Sequence, residues 1–211
     1  MSGGFLAQHG SEIATLTIEH LWLTGAAMLL ATAIAVPAGV WLVRSPRWAK
    51  PVMGLANVLQ TIPSLAMFGF LLPLPWLGER AARIAIVALS AYALLPILRN
   101  TYAGIRSIDH SIIEVACAMG LTDRQRFFKV ELPLAAPFIL AGLRTATITC
   151  IGIATIAAAV GAGGLGELIF RGVASVDDRL VLAGAIPAAL LALAADAALG
   201  QFERWFRVPA S

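Results

Sequence analysis

Five long runs without a charged residue constrain the fold of this chain more than any other feature. They extend over residues 20–43, 51–78, 84–98, 145–166 and 180–195. A helix needs about 20 apolar residues to cross the roughly 30 Å hydrocarbon core of a bilayer. Three runs reach that length, and the two shorter ones reach it if the helix continues into flanking residues. The sequence therefore predicts an all-α polytopic membrane protein with about five transmembrane helices.

Composition excludes a soluble domain as the alternative. Hydrophobic residues make up 59% of the chain and charged residues only 13%, whereas soluble domains carry about 25% charged residues. The net charge of +3 is better explained by membrane orientation than by nucleic-acid binding. We expect lipid contacts and no nucleic-acid partner.

The distribution of basic residues predicts the orientation in the membrane. Loops rich in lysine and arginine stay in the cytoplasm. The first and third loops and the C-terminus carry most of the basic residues: Arg44, Arg47, Lys50, Arg99, Arg106, Arg124, Arg126, Lys129, Arg204 and Arg207. The N-terminus is then outside and the C-terminus inside.

This orientation defines the predicted domain organisation. Residues 1–19 form an extracytoplasmic segment without the basic n-region of a cleaved signal peptide. Residues 20–203 form one transmembrane domain, and residues 204–211 form a cytoplasmic tail. The sequence contains no internal repeat or linker that would indicate a second domain.

The third loop is too long for a simple helix connection, which usually takes 2–8 residues. Ser111 and Glu114 have the spacing of a capping box, and Gly120 stands where a left-handed residue would end that short helix. Thr122 and Gln125 repeat the capping spacing and predict a second helix that continues into the fourth span. Residues 103–133 would therefore form a helical elbow. An amphipathic segment lying on the membrane surface would have the same spacing.

The elbow sequence resembles the EAA loop of ABC importer permeases. Glu114-Val115-Ala116 is followed by Gly120 and, after nine intervening residues, by Val130-Glu131-Leu132-Pro133. The chain departs from the pattern at Val115, where the family has alanine, and at Cys117, where relatives often carry a basic residue. Residues 60–64, 92–102 and 161–166 resemble the osmoprotectant or quaternary-amine branch of these permeases. The resemblance covers roughly residues 21–199.

In that family the elbow is a coupling helix that docks in a groove of a cytoplasmic ATPase. The resemblance implies two ATP-binding subunits, a second permease subunit that is identical or homologous, and an extracytoplasmic substrate-binding protein. It assigns ATPase coupling to Glu114, Ala116, Cys117, Gly120, Leu132 and Pro133. Glu114 could instead be an ordinary solvated carboxylate.

The chain has no Walker A phosphate cradle. Neither Lys50 nor Lys129 stands in a G-x-x-x-x-G-K-[ST] phosphate-binding loop. We therefore expect no cofactor in this chain, with ATP and Mg²⁺ bound by the partner ATPase, and a transport subunit that is not an enzyme.

Polar residues interrupt the second span about ten residues from its predicted cytoplasmic start. They are Asn57, Gln60, Thr61, Pro63 and Ser64. Proline breaks helical hydrogen bonds, and non-helical backbone near the bilayer midplane is tolerated where it is buried in protein or faces a watery cavity. Transporters build their routes at such places, so we assign this patch to the translocation pathway. The alternative is a proline kink in a packed helix, in which hydroxyl side chains form hydrogen bonds with the freed backbone groups.

Residues 161–166 match G-x-G-x-x-G, the dinucleotide-binding fingerprint, but no βαβ pattern surrounds them. Their glycines follow a membrane-length run and mark the end of the fourth span. The resemblance implies an outer gate or a partner-facing turn at Gly161, Gly163, Gly164 and Gly166. A plain flexible turn is the alternative.

The remaining reactive and charged residues favour structural roles. Cys117 and Cys150 have no metal or disulfide spacing, and the three histidines are scattered, so no metal site is predicted. Arg144 near the start of the fourth span could extend to the headgroups, and Asp196 near the inner end of the last span could reach water.

The resemblance implies an inner-membrane permease subunit for glycine betaine, carnitine or choline. An ABC importer of another small solute, such as methionine, is the first alternative. The elbow sequence indicates coupling to an ATPase but does not indicate which solute is transported. A secondary transporter driven by an ion gradient is the second and would need an essential intramembrane acid such as Asp196. An intramembrane enzyme would need a convergent nucleophile and base, and the sequence shows none.

Overall fold

The computed structural model describes residues 3–74 and 81–206, and within them all regular structure is helical. The helical structure includes a π-helical stretch, Phe127–Glu131, and a short 3-10 turn, Ala158–Val160. In chain order the α-helices of the described residues are α1 (Gly3–Arg44), α2 (Pro46–Thr61), α3 (Ser64–Leu71), α4 (Ala81–Arg106), α5 (His110–Ala118), α6 (Asp123–Arg126), α7 (Leu132–Ala157), α8 (Gly166–Ser175) and α9 (Asp178–Phe206).

The predicted all-α membrane architecture is confirmed. By length and composition, the described residues contain four helices that could cross a membrane, or five if the bent pair α2–α3 is one span. The two short uncharged runs reach membrane length because their helices continue through charged residues. α4 passes Arg99 and ends at Arg106, and α9 passes Asp196 and ends at Phe206.

The first helix is longer than its uncharged run. α1 has 42 residues, which corresponds to about 63 Å at 1.5 Å per residue. That length is about twice the hydrocarbon thickness. Residues 3–19 therefore continue α1 as helix, while the location of residues 1–19 outside the membrane stays a prediction.

The core forms where α4 packs against α1 and α7. Ala27, Ala31 and Ala35 of α1 are buried in the same cluster as Ala85 of α4. Small side chains let helix backbones approach closely in membranes. The Ser90 hydroxyl of α4 accordingly donates a hydrogen bond to the Ala27 carbonyl of α1 at 3.1 Å.

An ion pair joins α7 to α9 across 52 residues of sequence. Arg144 Nε and Nη2 donate to the two carboxylate oxygens of Asp196 at 2.6 and 2.8 Å, and Nη1 lies 3.5 Å from Glu203 Oε2. Gly200 leaves room for the guanidinium, because a Cβ there would lie 3.2 Å from Arg144 Cζ. The structural role expected for Arg144 takes the form of this ion pair. Charges that are costly alone in a membrane are held here as a pair.

Candidate functional site

The second span breaks completely at Pro63. Ile62 and Pro63 have extended backbone, with ψ of 125° and 137°, and α2 and α3 meet at 99°. Proline has no N–H to donate, and its ring disfavours the helical conformation in the residue before it. The expectation of a broken helix is confirmed, and the bend is far larger than a healed kink would produce.

Two hydrogen bonds between α4 and the end of α2 stabilise the break. The Tyr92 hydroxyl donates to the Ile62 carbonyl, which the break leaves without a helical partner. In return, Gln60 Nε2 donates to the Tyr92 carbonyl at 3.0 Å. Backbone groups inside a membrane need such internal partners. The sequence analysis missed this role of Tyr92, which only its polar hydroxyl in an otherwise apolar stretch could have indicated.

The break lines one wall of a cleft of about 630 Å³ between α2–α3, α4 and α7. Of the five residues predicted for the pathway, Gln60, Thr61, Pro63 and Ser64 line it. Asn57 does not, but its side-chain oxygen accepts a hydrogen bond at 3.4 Å from Arg99, which does. The other lining residues are Ile62, Tyr92, Leu95, Pro96, Asn100, Thr145, Thr149 and Ile153.

The opposite wall comes from α7 and was missed in the sequence. Thr145 and Thr149 are four residues apart and therefore share one face of the helix. Each satisfies its hydroxyl by donating to the carbonyl four residues earlier, at 3.0 and 2.9 Å, so its oxygen can still accept a hydrogen bond. The cleft thus offers hydroxyls, amides and one guanidinium at membrane depth, and its described lining contains no carboxylate.

The elbow helix α5 begins two residues earlier than the capping spacing predicted. Asp109 is the N-cap of α5, and its carboxylate accepts a hydrogen bond from the Ser111 N–H at 2.9 Å, which lowers the pKa of Asp109. The predicted Ser111–Glu114 capping box is therefore wrong, because Asp109 caps the helix instead. Glu114 lies exposed on the next turn, 3.4 Å from His110.

The turn that ends α5 agrees with its prediction. Gly120 is left-handed, with φ of +77°. Its N–H donates to the Cys117 carbonyl at 2.9 Å, and the Leu121 N–H donates to the Ala116 carbonyl at 3.2 Å. This pair of bonds is the Schellman motif, which favours glycine at this position. The second capping box is also confirmed, with Thr122 and Gln125 bonded reciprocally.

Arg126 ties the two arms of the elbow together. Its guanidinium contacts Glu131 at 2.9 Å, Asp123 at 3.1 Å and the Cys117 sulfur at 3.3 Å. Glu131 is buried where the π-helical stretch meets α7. The orientation of α5 is therefore set by side-chain contacts as well as by the Gly120 turn.

The residues assigned to coupling occupy different environments on the elbow. Ala116 is buried against the rest of the chain, whereas Glu114 and Cys117 are exposed. Leu132 is half-buried and Pro133 exposed at the start of α7. α5 also leaves large apolar side chains exposed, which are Ile112, Val115 and Met119.

The glycine loop after α7 is pinned by contacts. Gly161, Gly163 and Gly164 all have left-handed backbone, with φ of 78°, 86° and 80°. The Gly164 N–H donates to a carboxylate oxygen of Glu19 on α1 at 3.2 Å. These contacts favour a turn with a fixed conformation over a flexible turn.

The same loop leads directly into α8, a helix that the sequence analysis did not predict. Arg171 of α8 pairs with Glu12 of α1 at 2.5 Å, and Leu168 is buried beside Leu16 of α1. Gly166 begins α8 in tight contact with α7, because a Cβ on it would lie 1.9 Å from the Thr155 carbonyl oxygen.

A model of the family described as binding-protein-dependent transport system inner membrane component matches residues 17–208. The chain belongs to this family. With four to five apolar helices among its described residues, it is a multi-pass inner-membrane protein.

Curated relatives of this family member align along nearly its whole length. The carnitine transport permease protein OpuCB of Listeria monocytogenes is 43% identical over 199 residues, covering 94% of this chain and 90% of the relative. The choline transport system permease protein OpuBB of Bacillus subtilis (strain 168) is 43% identical over 200 residues, covering 95% and 91%. The osmoprotectant import permease protein OsmW of Salmonella typhimurium is 42% identical over 194 residues, covering 91% and 90%.

Solved structures show the same fold. The inward-facing MetNI methionine ABC transporter contains a chain that matches with a TM-score of 0.83 at 23% identity, covering 99% of this chain and all of that one. The fold of an ABC transporter permease is therefore shown for this chain.

Proposed function

We propose that this chain is the permease subunit of an ABC importer for glycine betaine, carnitine or choline. The observation that carries the proposal is the identity of 42–43% to permeases named for carnitine, choline and osmoprotectants, over more than nine-tenths of the chain. The likeness to a methionine transporter is only 23% in sequence, so it supports the fold and does not favour methionine as cargo.

The polar cleft at the α2–α3 break supports a role as part of the translocation route. One subunit with four or five spans among its described residues cannot easily enclose such a route, and the cleft is open and not enclosed. We infer that a second permease subunit, identical or homologous, completes it. A binding protein outside would deliver the solute, and two ATP-binding subunits inside would supply ATP and Mg²⁺.

The elbow supports coupling to those ATPases. Its exposed apolar residues, Ile112, Val115 and Met119, have the spacing of one helix face, and the exposed carboxylate of Glu114 lies on another. A short helix with an exposed apolar face suits docking into a partner groove. The proposed orientation, with the N-terminus outside and the C-terminus inside, puts the elbow on the ATPase side of the membrane.

An ion-coupled secondary transporter is a weaker candidate. Such a transporter would require an intramembrane acid that is free to bind and release the coupling ion. Asp196, the acid that the sequence suggested for this role, is bonded through both oxygens to Arg144. This geometry favours a structural role for Asp196.

The route is tested by filling the cleft with apolar bulk. Ser64→Leu should lower ATP-dependent uptake by roughly a factor of five without preventing assembly, because Ser64 faces a cavity and not a packed helix. Uptake of radiolabelled glycine betaine, carnitine and choline is measured in proteoliposomes with the ATPase and the binding protein. Ser11→Leu, the same substitution on an exposed part of α1, is the control and should transport normally. Undiminished uptake by a fully assembled Ser64→Leu complex would contradict the route.

The orientation and the docking surface are tested by thiol labelling of the unmodified chain. Cys117 is exposed on the elbow, whereas Cys150 is buried with its thiol against the Leu89 carbonyl. Only a thiolate in water reacts quickly with a maleimide. A membrane-impermeant maleimide should therefore label neither thiol in intact cells and only Cys117 in inside-out vesicles stripped of ATPase.

Adding the ATPase back should protect Cys117, because a docked elbow lies in the partner groove. A helix lying on the lipid surface would show no protection. Labelling of Cys117 from outside intact cells would overturn the orientation, and labelling unchanged by bound ATPase would count against docking through this face.

A further inference from the structure

Arg99 lies inside α4, a candidate membrane span, and not in a loop. It precedes the last residue of α4, Arg106, by seven positions, which is about 10 Å along the helix axis. Its side chain is exposed in the isolated subunit and lines the cleft. A guanidinium at this place faces the cleft rather than the surrounding core.

The described residues around Arg99 provide no neutralising charge. Arg126, Arg144 and Arg171 each contact a carboxylate, at 2.9, 2.6 and 2.5 Å. Within residues 3–74 and 81–206, Arg99 forms no ion pair, and its hydrogen bond goes to the neutral Asn57 side chain at 3.4 Å. The described residues that line the cleft with it are all uncharged.

Three neighbouring polar side chains already donate hydrogen bonds, whereas Arg99 has only its long bond to Asn57 among the described residues. Gln60 and Asn100 donate to backbone carbonyls at 3.0 and 2.8 Å, and the Tyr92 hydroxyl donates to Ile62. A guanidinium carries five N–H donors in a planar fork that matches a carboxylate. The cleft therefore combines a free anion-binding fork with hydroxyl oxygens from Thr145 and Thr149.

We propose that Arg99 binds the carboxylate of a zwitterionic solute in the cleft, so that the permease itself favours solutes that carry a carboxylate. This inference rests on the proposed function of the cleft as the route. Glycine betaine and carnitine carry a carboxylate beside the quaternary ammonium, and choline carries a neutral hydroxyl in its place. Arg99 then distinguishes these cargoes after the binding protein has released them.

The experiment compares glycine betaine and choline uptake by the complete reconstituted complex. Arg99→Gln should lower glycine betaine uptake about tenfold, the scale of a lost charge-assisted hydrogen bond, while choline uptake stays within about twofold. Arg99→Lys keeps the charge and should recover part of the glycine betaine uptake. Arg106→Gln removes a positive charge from the same helix outside the described cleft lining and should leave both uptakes near wild type.

Several results would overturn the inference. The first is an equal loss of glycine betaine and choline uptake in Arg99→Gln, and the second is no loss of either uptake. The third is a wild-type complex that imports choline but no carboxylate-bearing solute. If the binding protein delivers only carboxylate-bearing solutes, a loss that Arg106→Gln shares or that Arg99→Lys does not recover at all overturns it as well. A wild-type complex that imports none of glycine betaine, carnitine and choline contradicts the proposed function itself, and the inference falls with it.

Discussion

Gly120→Val should remove most ATP-driven uptake while the subunit still inserts and assembles. A Cβ on Gly120 would meet nothing within 4 Å, so the effect comes from the left-handed backbone alone, with φ of +77°. Holding a β-branched residue in this region costs about 1–3 kcal/mol, and 1.4 kcal/mol is tenfold in an equilibrium. The turn between α5 and α6 should therefore rearrange and misplace the elbow, lowering uptake about tenfold.

Two matched variants separate this backbone effect from side-chain bulk. Gly120→Asn should retain more uptake than Gly120→Val, because asparagine tolerates the left-handed region. Gly10→Val places the same side chain on α1, where a Cβ also meets nothing within 4 Å and the backbone is helical, and it should transport normally. Uptake and ATPase stimulation are measured in proteoliposomes. Wild-type values for Gly120→Val would rule out coupling through this elbow.

Gly166→Ala should severely reduce the amount of folded subunit. The added Cβ would lie 1.9 Å from the Thr155 carbonyl oxygen and 2.7 Å from its carbonyl carbon. Both atoms belong to the backbone and cannot rotate away, so α8 or the end of α7 must move. Overpacking of this kind costs about 1–3 kcal/mol or more. The shift would also strain the bond from Gly164 to Glu19.

The measurement is the thermal half-life and the yield of monodisperse complex after detergent extraction. Gly152→Ala is the control, because it makes the same change within α7 where a Cβ meets nothing within 4 Å. Equal half-lives for the two variants would show that the contact between Gly166 and Thr155 does not hold this end of the molecule together.

The features that could be predicted from sequence are those decided by neighbouring residues or by the lipid. Long uncharged runs indicated membrane helices, because unpaired charges are costly in hydrocarbon. Pro63 indicated the break, Gly120 the left-handed turn and the Thr122–Gln125 pair the second helix start. Each depends on groups within a few residues of one another. The Ser111 capping box failed for the same local reason, since Asp109 competes for the helix start.

The tertiary structure decided everything that needs partners from distant parts of the chain. Arg144 meets Asp196 across 52 residues, and Gly164 meets Glu19 across 145. The cleft acquires its polar walls only when α4 and α7 pack beside the α2–α3 break, which places Arg99 and Thr149 opposite Ser64 in one cavity. Sequence spacing predicts which face of a helix a residue occupies. Which faces meet depends on packing among all the helices, and the local propensity of a segment does not determine that packing.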